Sequence, residues 1–460
     1  MDRKMSLHLI SSENYDIGFH PETFKIFKIQ KNEERTILEQ DILKNKDSQM
    51  EINKNFLDTY SNYEGVPMEL FLLVSQKCNL SCKYCYASHG TYKNEGIMEF
   101  STAKKAIEVF YKKFPVGIKS IIFFGGEPLL NFHLIKQVCE FLEDYCNERD
   151  AQIPNFTIIT NGTIYSDEIK KVLNHYKIEL AISMDGPKEI HDQLRVFPDK
   201  SGSHDLILKN LSKFNKDRKY SLATELTFTK KHIIHNFIDS SIISYFMDLG
   251  VDRTVTSFVL MSPDDLLYDL LNIDEKTIEK ISEYISNDTK KMITSWCGFN
   301  PLCSDLMNVM IDIIKQQNGT RSFCPAGISK VAMGWDGDIY PCQILIDRKE
   351  FYMGNIYDED FPNNQFLDMR THLLKENINR KVNSDYCGGC WMRYLCVSCP
   401  AENIIANNDI NMPSKMHCIF RRIVIETILK EIVSIQENKV KYTNLLDNLH
   451  KFSTGNITEH

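Results

Sequence analysis

At 460 residues, with 43% apolar and 25% charged side chains, the chain is long enough for two or three domains or one large α/β barrel with appendages. A formal charge of −8 and a pI near 5.9 give no support to nucleic-acid binding, which needs a basic stripe. The N-terminus MDRKMSLHLISSENYDIG lacks the apolar core of a secretory signal, and no stretch reaches bilayer-spanning length, so the expected setting is the cytoplasm, with no membrane partner.

In that compartment thiols stay reduced, and the 14 cysteines, many of them clustered, read as metal or cluster ligands rather than bridges. Along the chain, residues 1–65 form a small leading segment, in which LHLISSENYDIGFHPETFKIFKI alternates like a hairpin and a polar helical stretch follows. Buried strands are expected at Leu70–Val74, Ile121–Phe124, Phe156–Thr160, Leu180–Met184, Leu222–Phe228 and Thr254–Leu260. Helical patterns such as TAKKAIEVFYKKF, HLIKQVCEFLEDYC and SDEIKKVLNHY separate most of them. This alternation predicts an α/β fold, a partial (β/α)6 barrel over residues 66–290. A helical bridge is expected over 291–322, within a broader helical arm that starts near 264. From 323 to 420 helical periodicity fades into glycines, turns and cysteines, and 421–460 reads as an amphipathic closing helix with a loose polar tail.

A barrel gathers its reactive groups at the carboxyl ends of its strands. Cys78, Cys82 and Cys85 follow the first strand here, and Gly125, Gly126, Glu127 and Pro128 follow the second. Asn161 and Gly162 follow the third, and Ser183 and Asp185 end the fourth. Alone, each feature has an ordinary explanation: GGEP is a common turn, Arg195 a solvated helix charge, and CxxxCxxC half of a zinc site. Together they crowd one rim. Three thiolates are too few for a closed structural zinc, but they suit a [4Fe–4S] cluster whose fourth iron stays open to a small molecule.

Cys78-x3-Cys82-x2-Cys85, with Tyr84 before the last cysteine, and GGEP at 125–128 resemble the two hallmarks of the radical S-adenosylmethionine (SAM) superfamily. The resemblance implies that the open iron chelates the amino and carboxylate groups of SAM, and that reduction yields a 5′-deoxyadenosyl radical. An external donor of flavodoxin or ferredoxin type would supply the electron. By the same resemblance Glu127 accepts from the SAM amino group, Ser183 and Arg195 contact its carboxylate and ribose, and Asn161 lines the adenosine end. Gly125 and Gly126 would let the backbone come close to the ligand. No catalytic side chain is identified beyond the cluster where the radical arises.

Seven further cysteines stand downstream: Cys324, Cys342, Cys387, Cys390, Cys396, Cys399 and Cys418. Two C-x2-C pairs can bind one zinc, yet a zinc uses only four of the seven. The set, with Gly337-x4-Cys342, resembles the SPASM extension of radical SAM enzymes, which carries two auxiliary [4Fe–4S] clusters, three in all. The resemblance gives Cys324, Cys342 and Cys399 to auxiliary cluster I, and Cys387, Cys390, Cys396 and Cys418 to auxiliary cluster II. One departure falls on Cys399: two residues separate it from Cys396, where many members have three. Cluster I is one ligand short, and Cys297, Cys303 or a substrate thiolate can complete it. Cys139 and Cys146 read as buried small hydrophobes on a helix.

Members with this extension mostly modify peptides or proteins. The resemblance therefore implies a maturase that forms thioether cross-links in a ribosomally made, cysteine-rich precursor, with residues 1–65 either pairing with the precursor's leader or serving as a lid. The alternative is an anaerobic sulfatase-maturing enzyme that makes formylglycine. Those enzymes carry an aspartate after the cysteine matching Cys342, where this chain has Gln343. From another class, an iron–sulfur electron carrier and a zinc-binding scaffold remain.

Overall fold

The computed structural model describes residues 7–30, 68–297, 305–315 and 324–453, apart from positions 13, 22, 115, 238–239, 383–384 and 397. The helix expected after the leading hairpin, and Cys303, lie outside the described residues. The chain forms two compact units, one from the described residues within Met1–Thr59, Asp274–Cys324 and Glu376–His460, the other from Tyr60–Ile273 and Pro325–Lys375.

The leading segment holds three strands rather than a simple hairpin: β1 (His8–Ser11), β2 (Tyr15–Phe19) and β3 (Ile26–Gln30), antiparallel in the order β1-β2-β3. Its pairing sets Ile10 opposite Ile17. Ile10, Ile17 and Phe19 are buried on one face, which fixes the register, because a one-residue slip would turn that apolar face outward.

The six expected strands all form. They are β4 (Met68–Ser75), β5 (Ile118–Gly125), β6 (Asn155–Thr160), β7 (Glu179–Ser183), β8 (Leu222–Phe228) and β9 (Arg253–Phe258), each parallel to the next. Helices α1 (Phe100–Lys113), α2 (Phe132–Asn147), α3 (Asp167–Tyr176), α4 (Lys188–Leu194), α5 (His204–Asn215) and α6 (Ser240–Asp248) supply the crossovers. Such crossovers cover a parallel sheet on its helical face, which is why its strands read as nearly unbroken apolar runs. On the opposite face Phe71, Leu73, Ile122, Phe124, Ile159 and Ala332 share one core.

Farther along come α7 (Ser282–Trp296) and α8 (Asp305–Ile314), then two strands inside the cysteine-rich segment. β10 (Lys330–Met333) lies parallel against β4, and β11 (Ile339–Tyr340) folds back on it through the turn GWDGD, where Gly337 takes φ +90°. They extend the sheet to the order β11-β10-β4-β5-β6-β7-β8-β9. Runs this short leave no periodicity to read.

Residues read as irregular or loose are helical in three places: α9 (Asn364–Val382), α10 (Pro400–Asn407) and α12 (Lys439–Ser453), the last following the long α11 (Lys415–Gln436). Among the described side chains of α12, Leu445 and Leu449, four residues apart, are the deeply buried apolar ones, so most of what is described is polar and looks like a tail. Asn448 ties it down by donating to the Trp296 carbonyl at 2.8 Å. Trp296, Ile293, Ile428, Leu429 and Ile432 form the core beneath, together with Ile17 and Phe19 of the β-meander. No helix among the described residues is long and apolar enough to cross a membrane.

Candidate functional site

The loop after β4 carries Cys78, Cys82 and Cys85 and is clamped from two sides. Gly126 N–H donates to the Ser75 carbonyl at 2.7 Å, and Glu127 N–H to that of Lys77 at 2.8 Å. From the other side, Ser81 N–H reaches the Val196 carbonyl at 2.7 Å and Lys83 N–H that of Leu194 at 2.9 Å. The glycines permit this closeness. A Cβ on Gly125, whose φ is +142°, would fall 2.1 Å from the Ser75 oxygen, and one on Gly126 would fall 2.4 Å from that of Lys77. Their tight approach is thus to the chain's own cysteine loop.

All the described cysteines are free thiols. Burial pushes Cys78 up to about 11 and Cys82 up to about 12, and each is raised further by the charge of its neighbours in the trio. Two N–H groups already point at Cys78: Leu80 N at 3.4 Å and Asn161 Nδ2 at 3.8 Å from the sulfur. Three neighbouring sulfurs with N–H donors on one of them fit a thiolate-held cluster. Among the described residues no three His, Cys, Asp or Glu side chains close tightly enough to hold a single metal ion. A four-iron cube needs its thiolates farther apart than one ion does.

Glu127 is fully buried, and its carboxylate accepts from Leu129 N at 2.9 Å, Thr160 Oγ1 at 2.7 Å and Asn161 N at 2.7 Å. It thereby ties the ends of β5 and β6 together. Burial raises its pKa to about 7 against the pull of those hydrogen bonds. Pro128 opens the short turn that Glu127 caps, a place where its missing N–H goes unused. Asn161 also donates to Asn79 Oδ1 at 2.8 Å, which puts it against the cysteine loop.

Asp185 is the second centre. It is fully buried, and its carboxylate accepts from the Tyr84 hydroxyl at 2.5 Å and from Thr227 N at 3.0 Å, while Arg195 Nε stands 3.0 Å away. Burial is the largest influence and opposes its charge, but Arg195, His191, His232 and the Tyr84 hydroxyl together outweigh it and hold the carboxyl below its ordinary value. Its backbone is pinned as well: Asp185 N donates to His191 Nδ1 at 3.2 Å, and its carbonyl lies 3.1 Å from His232 Nε2. Arg195 is nearly buried, its guanidinium 5.4 Å from the Tyr84 ring centroid. Ser183 ends β7 opposite Glu225 of β8. The partners His191, Thr227 and His232 carried no signal in the sequence beyond the HD pair of KEIHDQLR.

Downstream, Cys342 belongs to the barrel unit, while Cys324, Cys387, Cys390, Cys396, Cys399 and Cys418 belong to the other. Burial drives Cys418 up to about 12, and Cys396, Cys387 and Cys390 add to the rise, so these four sulfurs are neighbours. That gathering fits a second thiolate-held group. Near the first trio, the Tyr86 and Tyr92 rings meet edge to face at 6.2 Å. Gln343 buries its side-chain oxygen with no hydrogen-bond partner among the described residues. Cys139 and Cys146 are fully buried on α2, and Cys297 is buried at the end of α7.

Residues 72–223 match the radical SAM superfamily. An uncharacterised protein of Methanocaldococcus jannaschii is 34% identical over 242 residues, 50% of this chain and 78% of its own. A cysteine-type anaerobic sulfatase-maturating enzyme of Clostridium novyi is 24% identical, over 70% of this chain and 85% of its own. Among solved structures, native anSMEcpe with bound AdoMet and the Cp18Cys peptide superimposes with a TM-score of 0.64 at 19% identity, covering 81% of this chain and 99% of that one.

Proposed function

The chain belongs to the radical SAM superfamily of SAM-dependent enzymes, and on that premise we propose that it forms thioether cross-links in a ribosomally made, cysteine-rich peptide. The observation that carries this reading is a pair of thiol groupings, the open trio at the barrel rim and the quartet in the other unit. Cys78, Cys82 and Cys85 would hold the first [4Fe–4S] cluster, and the downstream cysteines two more. With SAM bound, the first cluster supplies a 5′-deoxyadenosyl radical able to take hydrogen from an unactivated carbon.

The chain's own residues prepare that site. Glu127 locks the GGEP turn to β6, and Asp185 holds Arg195 and Tyr84 against the cysteine loop, so a sulfonium ligand meets fixed polar groups. A flavodoxin- or ferredoxin-type donor would deliver the electron. A precursor leader would pair with the β1 edge, which has no partner strand among the described residues.

Formylglycine formation is the second reading, favoured by the likeness to the Clostridium novyi enzyme. Gln343 weighs against it, since an amide cannot take the proton that an aspartate there would accept. Co-expression with a candidate cysteine-rich peptide, followed by mass spectrometry, separates the two. The thioether reading predicts loss of two hydrogens per link with sulfur retained. Loss of sulfur and gain of an aldehyde would support formylglycine instead.

A further inference from the structure

The start of α11 turns the sequence SKMHC toward the downstream thiols. Ser414 is the N-cap, and its Oγ accepts the His417 N–H at 3.1 Å, which fixes the first turn. From that turn the His417 ring brings Nε2 to 3.6 Å from the Cys396 sulfur. Cys418, the next residue, lies in the same sulfur group. Glu402, in the first turn of α10, backs the ring: its Oε2 is 3.7 Å from His417 Nδ1, and its Oε1 accepts the Ser414 hydroxyl at 3.1 Å. The His417 ring thus stands between the Glu402 carboxylate and the Cys396 sulfur.

We propose that His417 is a positioning residue for the downstream cluster, donating a hydrogen bond from Nε2 to the Cys396 thiolate, braced by Glu402, and so making that cluster easier to reduce. The proposal rests on the reading of Cys387, Cys390, Cys396 and Cys418 as cluster ligands. The physical reason is general: reduction adds negative charge to a cluster, and a donor aimed at its sulfur stabilises that charge, so hydrogen bonds to sulfur help set the potential. Arg422 also faces Cys390 and Cys418 and acts in the same direction, so His417 adds to a field already present.

The test uses the full-length chain with Cys78, Cys82 and Cys85 changed to alanine, reconstituted without oxygen, so that only downstream clusters respond to redox titration. His417→Leu and His417→Gln are compared in that background. We expect unchanged iron in both. In His417→Leu one midpoint becomes more negative while the other stays in place. One hydrogen bond to a charged group changes the reduced-to-oxidised ratio by about tenfold, or about 59 mV for a one-electron couple. His417→Gln, which keeps an N–H donor, recovers much of the shift. An unmoved midpoint at full iron overturns the proposal. Loss of about four irons in both variants also overturns it, by making His417 a ligand rather than a donor. A background chain that takes up no iron overturns the four-cysteine reading itself, and that outcome is visible before any His417 variant is made.

Discussion

Changing Cys78, Cys82 and Cys85 together to alanine is expected to abolish 5′-deoxyadenosine formation from SAM and dithionite. The downstream cysteines should meanwhile keep about eight of about twelve irons, for clusters of four iron atoms each. The expectation follows from placement. The trio sits on one loop after β4, its other two members raise the Cys82 pKa, and the loop is clamped by Gly126, Glu127, Leu194 and Val196 through backbone hydrogen bonds. Alanine fits inside that clamp, so the loop survives and only the thiols go. Nucleotide cleavage surviving in the triple variant would place the radical chemistry elsewhere.

Asp185→Asn is expected to destabilise the iron-free protein by about 3–5 kcal/mol, the usual consequence of removing one partner from a buried ion pair. Asparagine keeps the shape and can still accept from Thr227 N, but it deprives the buried Arg195 guanidinium of its direct carboxylate partner. It also weakens the grip on the Tyr84 hydroxyl, one residue before Cys85. SAM cleavage should fall with it, through a higher KM for SAM more than a lower kcat, because Arg195 and Tyr84 lose their common anchor. Denaturant unfolding of Asp185→Asn, and of a double variant that also carries Arg195→Gln, checks the cause. The double variant should regain part of the lost stability. Equal loss in both would assign the effect to packing.

Much of this was legible in the sequence where the physics is local. The barrel strands announce themselves because a sheet packed on both faces excludes polar residues over whole runs such as IIFF and LLV. The cysteine trio shows itself because its three members share one short loop. Contacts made across long stretches of chain left no such mark. Asp185 meets Thr227 from the next strand, and His417 on α11 meets Cys396 in the loop before α10, so neither partnership has a spacing to recognise. β10 and β11 are too short for periodicity, and α12 is too polar for its two buried leucines to stand out. The leading β-meander shows alternation in the sequence, but not that it shares a core with Trp296 and Ile428.

Electron paramagnetic resonance of the oxygen-free, reduced full-length protein, recorded with and without SAM, bears most directly on the open-cornered cluster. A [4Fe–4S] signal whose shape changes on adding SAM, and which disappears in the Cys78, Cys82 and Cys85 triple variant, is the predicted result. A spectrum that ignores SAM, or one unchanged by loss of the three cysteines, would contradict it.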